Sequence, residues 1–140
     1  MENYNDVYSL WKEKCEDEKL RAELVEIDGK DDEILDRFYK KLEFGTAGLR
    51  GVLGAGTNRM NIYTVNQATQ GIADYLNFEF ENPSVAIAYD SRINSDVFAK
   101  ETAGVFAANG IKVYIYPELV PTPMLSFAVR RLSCSSGVII

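Results

Sequence analysis

Three short, largely apolar runs separated by helical patterns limit most severely how this chain can fold. They are Val85-Ala86-Ile87-Ala88-Tyr89, Ile111-Lys112-Val113-Tyr114-Ile115-Tyr116 and Gly137-Val138-Ile139-Ile140. The first is a short continuous apolar run, as expected of a strand covered on both faces, and the others read as the second and third strands. Between the first two runs, Asn94 or Ser95 is expected to cap a helix that carries Val97, Phe98, Val105 and Phe106 and closes at Asn109-Gly110. Between the second and third, Thr122 is expected as N-cap with Pro123 at the first helical position. That helix runs through Met124, Leu125, Ala128 and Leu132. Strand–helix–strand–helix–strand at this spacing implies right-handed crossovers and a parallel sheet. The expected fold class is α/β: a three-layer α/β/α domain with a mainly parallel sheet, preceded by a short helical N-terminal segment.

That segment reads as short helices. Val7, Leu10 and Trp11 form one apolar stripe, and Leu20, Leu24 and Ile27 form another after Glu16-Asp17-Glu18. Asp28-Gly29 looks like a stop. Asp31 and Asp32 open a third helix with Ile34, Leu35, Phe38 and Leu42 at helical spacing. Glycines at 45, 48, 51 and 54 then exclude a good helix, so 44–56 is a loop leading into a short or interrupted strand. Asn61 is a good N-cap for the next helix, whose apolar face carries Val65, Ala68, Ile72 and Leu76.

Charge is unevenly spread. The whole chain of 140 residues has a formal charge of −6. Residues 1–43 hold 14 acidic and 8 basic residues, while the remainder holds 7 of each. Acidic residues in a helix's first turn favour the helix dipole, the bland reading of this excess; an acidic docking surface is the other. No face or tract is basic enough for nucleic acid. No apolar run approaches the roughly 20 residues of a membrane span, and the N-terminus lacks a signal peptide's cationic start. Cys15 and Cys134 have no CxxC spacing, so they read as reduced thiols of a cytoplasmic protein. With no histidine in the chain, Ser/His and Cys/His dyads and imidazole-bound metals are excluded within it.

In open parallel sheets, ligands bind beyond the carboxyl ends of the strands. Two such loops are Asp90-Ser91-Arg92 with Asn94, and Pro117 to Thr122. A third would follow Ile140. A buried strand ending on a bare carboxylate would be costly, so a fragment cut at the start of a functional loop is expected. The glycine-rich stretch is neither a Walker A loop nor a dinucleotide fingerprint, since Gly54-Ala55-Gly56 continues to Arg59. Its backbone amides and Arg50 suit an anion, or it is a plain turn whose arginine pairs with a carboxylate. For Arg92 the alternatives are an anion contact and a loop-internal ion pair with Asp90.

Leu42-Glu43-Phe44-Gly45-Thr46-Ala47-Gly48-Leu49-Arg50-Gly51 resembles the N-terminal signature of the α-D-phosphohexomutases, the phosphoglucomutase/phosphomannomutase superfamily. The likeness continues through Arg59-Met60-Asn61, Thr64-Val65, Ala68-Thr69-Gln70-Gly71, Tyr89-Asp90-Ser91-Arg92 and Val120-Pro121-Thr122-Pro123. The helical leader is similar to that of the longer phosphoglucomutases, a branch that also holds phosphopentomutases.

The resemblance implies an enzyme interconverting sugar 1-phosphate and 6-phosphate through a phosphoserine and a sugar bisphosphate, with Mg²⁺ neutralising the transferring group. It implies a helical extension over 1–43 and a first α/β domain over 44–140, truncated before the phosphoserine loop. That loop would follow the strand 136–140, so Ser133, Ser135 and Ser136 are not the nucleophile, and the metal ligands would lie in later domains. Arg50 carries over as the arginine beside the phosphoserine. Thr46 and Arg92 are further phosphate-binding candidates. A phosphorylated sugar and the chain's remaining domains are the implied partners, the sugar itself being unspecified. The alternative is a naturally short, non-catalytic α/β module that binds a phosphorylated ligand or a protein partner.

Overall fold

The computed structural model describes residues 3–46 and 48–140; Met1, Glu2 and Ala47 of the glycine motif lie outside the described residues. The chain divides into two compact units, Met1–Thr64 and Val65–Ile140.

The first unit starts with three helices, α1 (Tyr4–Lys14), α2 (Glu18–Glu26) and α3 (Asp31–Phe38). Asn3 caps α1 by accepting from the Asn5 N–H, and Asp17 caps α2 by accepting from the Leu20 N–H at 2.9 Å. Both caps satisfy donors that the helix itself cannot. The helices bury Tyr8, Leu20, Leu24, Ile27, Ile34 and Phe38 together. Phe38 takes the edge-to-face contacts of two rings, Tyr8 at 5.6 Å and Trp11 at 5.7 Å, and Trp11 meets Tyr63 at 5.3 Å. Leu10 and Leu35, expected on the apolar stripes, are exposed, because this small core covers one narrow face of each helix. Leu42 lies beyond the end of α3 rather than on it. A short antiparallel hairpin follows, β1 (Phe44–Gly45) with β2 (Gly48–Leu49), where the glycines suggest a loop leading into a short or interrupted strand.

Asn61 opens α4 (Ile62–Glu79) with a reciprocal cap. Its Oδ1 accepts from the Thr64 N–H at 3.0 Å, and Thr64 Oγ1 accepts from the Asn61 N–H at 3.1 Å. From Val65 onward this helix belongs to the second unit, where it buries Val65, Ala73 and Leu76.

The second unit holds the parallel sheet. β3 (Ser84–Ala88) is central, with β4 (Lys112–Ile115) on one side and β5 (Ser136–Ile139) on the other. Side chains alternate across a strand, and paired residues share a face. Val85 and Ile87, both fully buried, face a cluster with Ala73 and Leu76 of α4 and with Ala99 and Phe106 of α5 (Ser95–Ala108). Ala86 pairs with Gly137 on the opposite face. There α6 (Thr122–Arg131) lies so close that a Cβ on Gly137 would come within 2.6 Å of Val129 Cγ2 and 3.2 Å of Leu125 Cδ1. Helices on both faces make the unit an α/β/α sandwich, as the apolar runs require.

One expected cap lacks its side-chain bond and one cap position differs from expectation. Asn94 stands at the N-cap of α5 in a left-handed conformation, φ 66°, without a side-chain cap bond. Pro121, not Thr122, is the N-cap of α6, which moves Pro123 one residue further in. That shift costs no hydrogen bond, since no first-turn N–H has an intrahelical partner. Cys15 and Cys134 are free thiols. Among the described residues, no helix is long and apolar enough to cross a membrane.

The α6 contact makes a direct test. Gly137→Val places two methyls against Val129 and should destabilise the unit by about 1–3 kcal/mol. Urea denaturation of the two proteins measures it, and an unchanged midpoint would contradict so close an approach.

Candidate functional site

The second half of the glycine stretch is irregular backbone laid against the end of α3, and the two satisfy each other. The last carbonyls of a helix have no partner within it. Here the Asp36 carbonyl accepts from Asn58 Nδ2 at 3.1 Å and the Arg37 carbonyl from the Asn58 N–H at 3.0 Å, while just past the helix the Lys40 carbonyl accepts from Thr57 Oγ1 at 2.7 Å. Arg37 in turn donates from Nη1 to the Ala55 carbonyl at 3.2 Å and to Glu23 Oε2 at 2.8 Å. Glu23 Oε2 also accepts the Ala55 N–H at 2.9 Å. Gly56 adopts φ 132°, and a Cβ there would lie 2.6 Å from the Arg37 carbonyl oxygen, so only glycine fits. Buried Asn61 completes the arrangement, donating from Nδ2 to the carbonyls of Gly54 and Gly56 at 2.8 and 2.9 Å.

The first half of the stretch is the hairpin, and it faces outward. Thr46 sits exposed at its turn, and Arg50 follows β2, also exposed. Arg50 lines an open groove of about 450 Å³ shared with Asp36, Lys40, Glu43 and Arg59. The groove's other charges are matched: Arg59 is bound to Asp36, and Lys40 lies 3.7 Å from Glu43. Arg50 forms no ion pair or side-chain hydrogen bond among the described residues, so it is the groove's surplus positive charge. Thr46 shares the hairpin with Arg50 but does not line the groove.

Arg92 belongs to the second unit, at the carboxyl edge of the sheet. The segments following the three parallel strands converge there, as expected for such a sheet. The Asp90 N–H donates to the Ile140 carbonyl at 3.0 Å, and the Val120 N–H to the Tyr89 carbonyl at 3.0 Å. Arg92 Nε donates to Asp90 Oδ2 at 2.8 Å, its backbone N–H donates to Oδ1 at 2.9 Å, and Ser95 Oγ adds a third donor at 3.2 Å. The loop-internal ion pair therefore forms. Both Nη groups of Arg92 are left without a hydrogen bond to any described residue. The Arg92 side chain, then its backbone N–H, hold the Asp90 carboxyl below its ordinary pKa.

With a glycine hairpin followed by an arginine unpaired among the described residues, and a sheet edge gathering two loops and the end of β5, the comparisons decide the family. Residues 41–140 match the family model for "Phosphoglucomutase/phosphomannomutase, alpha/beta/alpha domain I". The chain belongs to the phosphoglucomutase/phosphomannomutase family. It is 40% identical over 131 residues to a phosphoglucomutase of Staphylococcus aureus, covering 94% of this chain and 23% of that protein. A phosphoribomutase of Saccharomyces cerevisiae is 41% identical over 141 residues, with 96% and 23% coverage. A phosphoglucomutase of Staphylococcus haemolyticus is 46% identical over 103 residues, with 74% and 19% coverage. The chain thus spans about a fifth of the length of these curated relatives. No solved structure gives a significant match.

Among the described residues, no group of three or more acidic or cysteine side chains could hold a metal ion. Asp90, the carboxylate at the sheet edge, is already engaged by Arg92 and Ser95, so these residues do not fit a Mg²⁺ site. Sequence reasoning found Asn61 as a cap but not as the clasp of two loop carbonyls, although its amide carries donors that a cap leaves unused. Arg37 enters the sequence reading only within Arg37-Phe38-Tyr39 of the leader's resemblance and Glu23 not at all, because their meeting depends on how α2 and α3 pack.

The Asp90 loop carries a pH prediction. Its folded-state pKa is lowered, so ionised Asp90 contributes stability above the ordinary carboxylate pKa and loses it as pH falls through the folded value. In Arg92→Ala, the Asp90 titration followed by side-chain ¹³C NMR should move up toward the ordinary value. A titration that stays in place would show that Arg92 is not its cause.

Proposed function

We propose that the chain is the N-terminal part of a phosphomutase that interconverts sugar 1-phosphate and 6-phosphate. Residues 44–140 form its first α/β domain and 1–43 a helical extension. The reading is of a cytoplasmic enzyme in which a phosphoserine, in a loop after the strand that ends near Ile140, donates its phosphoryl to the sugar's free hydroxyl. The P–O bond to serine breaks as the bond to the sugar forms. The bisphosphate then reorients and returns its other phosphoryl to the serine. Mg²⁺, when bound by the enzyme's other domains, supplies charge neutralisation.

The part of this chain is electrostatic and positional. Arg50 holds a planar, permanently charged fork toward the phosphoryl group, a geometry matched to phosphate oxygens. Thr46 on the same hairpin and the free Nη groups of Arg92 are secondary phosphate contacts. What carries the reading is the state of Arg50: within the family's motif it is exposed beside a groove and has no ionic partner among the described residues. Arg37 and Arg59, which brace the loop behind it, are by contrast tied to carboxylates.

Relatives named phosphoglucomutase and phosphoribomutase make glucose 1-phosphate, with its 6-phosphate product, and ribose 1-phosphate, whose five-carbon sugar would give the 5-phosphate, the two substrates to assay. In the intact enzyme, Arg50→Ala should lower kcat on the preferred substrate by roughly 10²–10³-fold. The melting temperature should hardly move, because the side chain is exposed and unpaired. An unchanged kcat overturns the role. Residues 1–140 alone should convert neither sugar phosphate; turnover at an enzyme-like rate would show that no further segment is needed.

A further inference from the structure

We infer that Glu23 and Arg37, on α2 and α3 of the leader, are positioning residues for Arg50. The inference rests on the role proposed for Arg50 above, and the geometry supplies the rest. Two residues on a two-residue hairpin cannot fix themselves, because an isolated pair of short strands is marginal in water. Both ends of this hairpin are instead tied to the loop 54–60. On the entry side, the Leu42 N–H donates to the Thr57 carbonyl at 2.8 Å. On the exit side, the Met60 N–H donates to the Val52 carbonyl at 2.8 Å, and the Gly54 N–H to the Met60 carbonyl at 3.2 Å. Arg50 is therefore held two residues from one anchor.

That loop is irregular backbone, and its centre, Ala55, is fully buried. Both polar groups of Ala55 are satisfied by a single ion pair: its N–H by Glu23 Oε2 and its carbonyl by Arg37 Nη1. The pair is itself closed at 2.8 Å, with Arg37 largely covered. Bonds to charged groups are the stronger class, and removing either partner leaves the other charge and a buried peptide group unmatched. Glu23 and Arg37 precede residues 41–140, the span of the family match. The leader thus contributes to the site without touching the groove's Arg50.

The test uses the intact enzyme, with kcat and KM measured well below each variant's melting temperature. Glu23→Ala should lower kcat roughly 10–100-fold with a smaller change in KM, since a displacement of about an ångström is enough for that loss. Glu23→Gln, which keeps an acceptor and the shape, should recover much of it, and it decides the matter if Glu23→Ala does not fold. Adding Glu23→Ala or Glu23→Gln to Arg50→Ala should cost little more than Arg50→Ala alone, because a residue acting through Arg50 has nothing left to position. A lower melting temperature with unchanged kcat in both Glu23 variants overturns the inference and makes the pair merely structural. Losses that multiply in the double variants overturn it as well. If Arg50→Ala alone leaves kcat intact, the reading of Arg50 has failed, and the positioning role falls with it.

Discussion

Irregular backbone inside a folded unit survives only if its peptide groups find partners, and loop 54–60 finds them on both sides, in Glu23 and Arg37 of the preceding helices and in Asn61 and Thr64 at the start of α4. The end of α3 has the complementary problem, a row of carbonyls with no successor N–H. Asn58 closes those carbonyls and Thr57 one just past the helix, while Glu23, Arg37 and Asn61 close the loop's own groups. Each bond taken alone is worth about 1 kcal/mol, but an unmatched buried group costs 1–3 kcal/mol, so the bonds stand or fall together. Composition divides the chain after Glu43, where the acidic excess ends. Packing continues the first unit to Thr64, because the hydrogen bonds run back across that point.

The acidic excess of the leader has correspondingly specific uses. Glu23 binds Arg37 and Ala55, Asp36 binds Arg59, and Asp17 caps α2. Asp28 accepts from Lys12 at 2.8 Å and from Tyr8 Oη at 3.1 Å, and these bonds, Lys12 first, hold its carboxyl below the ordinary pKa. Asp31, Asp32 and Glu33 occupy the first turn of α3, where the helix dipole favours them. Much of the charge that composition leaves open between dipole and docking surface thus has a partner inside the unit.

What the sequence shows of this structure follows from which forces are local. The central strand β3 is legible because covering both faces of a strand leaves no polar position, and Val85 and Ile87 are fully buried as that pattern demands, whereas the flanking β4 and β5 are only partly covered. Gly110 and Asn61 are legible because a left-handed stop and a cap are one-residue chemistry. Caps next to proline are less so: Pro121 and Thr122 both tolerate the N-cap backbone, and the choice between them is made by tertiary packing. The Asp90–Arg92 pair could be named from its spacing, but not that it uses Nε and leaves the outer nitrogens open. The clasp of Glu23, Arg37 and Ala55 is illegible, since residues separated by 14 and 18 positions meet only after the helices have packed.

The arginines show how the same side chain serves opposite ends. Arg37 and Arg59 are covered and tied to carboxylates and carbonyls, which fixes their rotamers and the backbone around them. Arg92 is tied through Nε alone, so its position is set while its outer nitrogens stay open. Arg50 is tied nowhere among the described residues, and a free arginine side chain carries roughly 2 kcal/mol of rotamer entropy that any ligand must overcome. An arginine left loose on a loose backbone would lose most of its binding strength to ordering. Holding the hairpin at Leu42 and Val52 confines the remaining freedom to the side chain. The rigidity of the leader and the loop thus complements a guanidinium that, within the family's motif, forms no ion pair among the described residues.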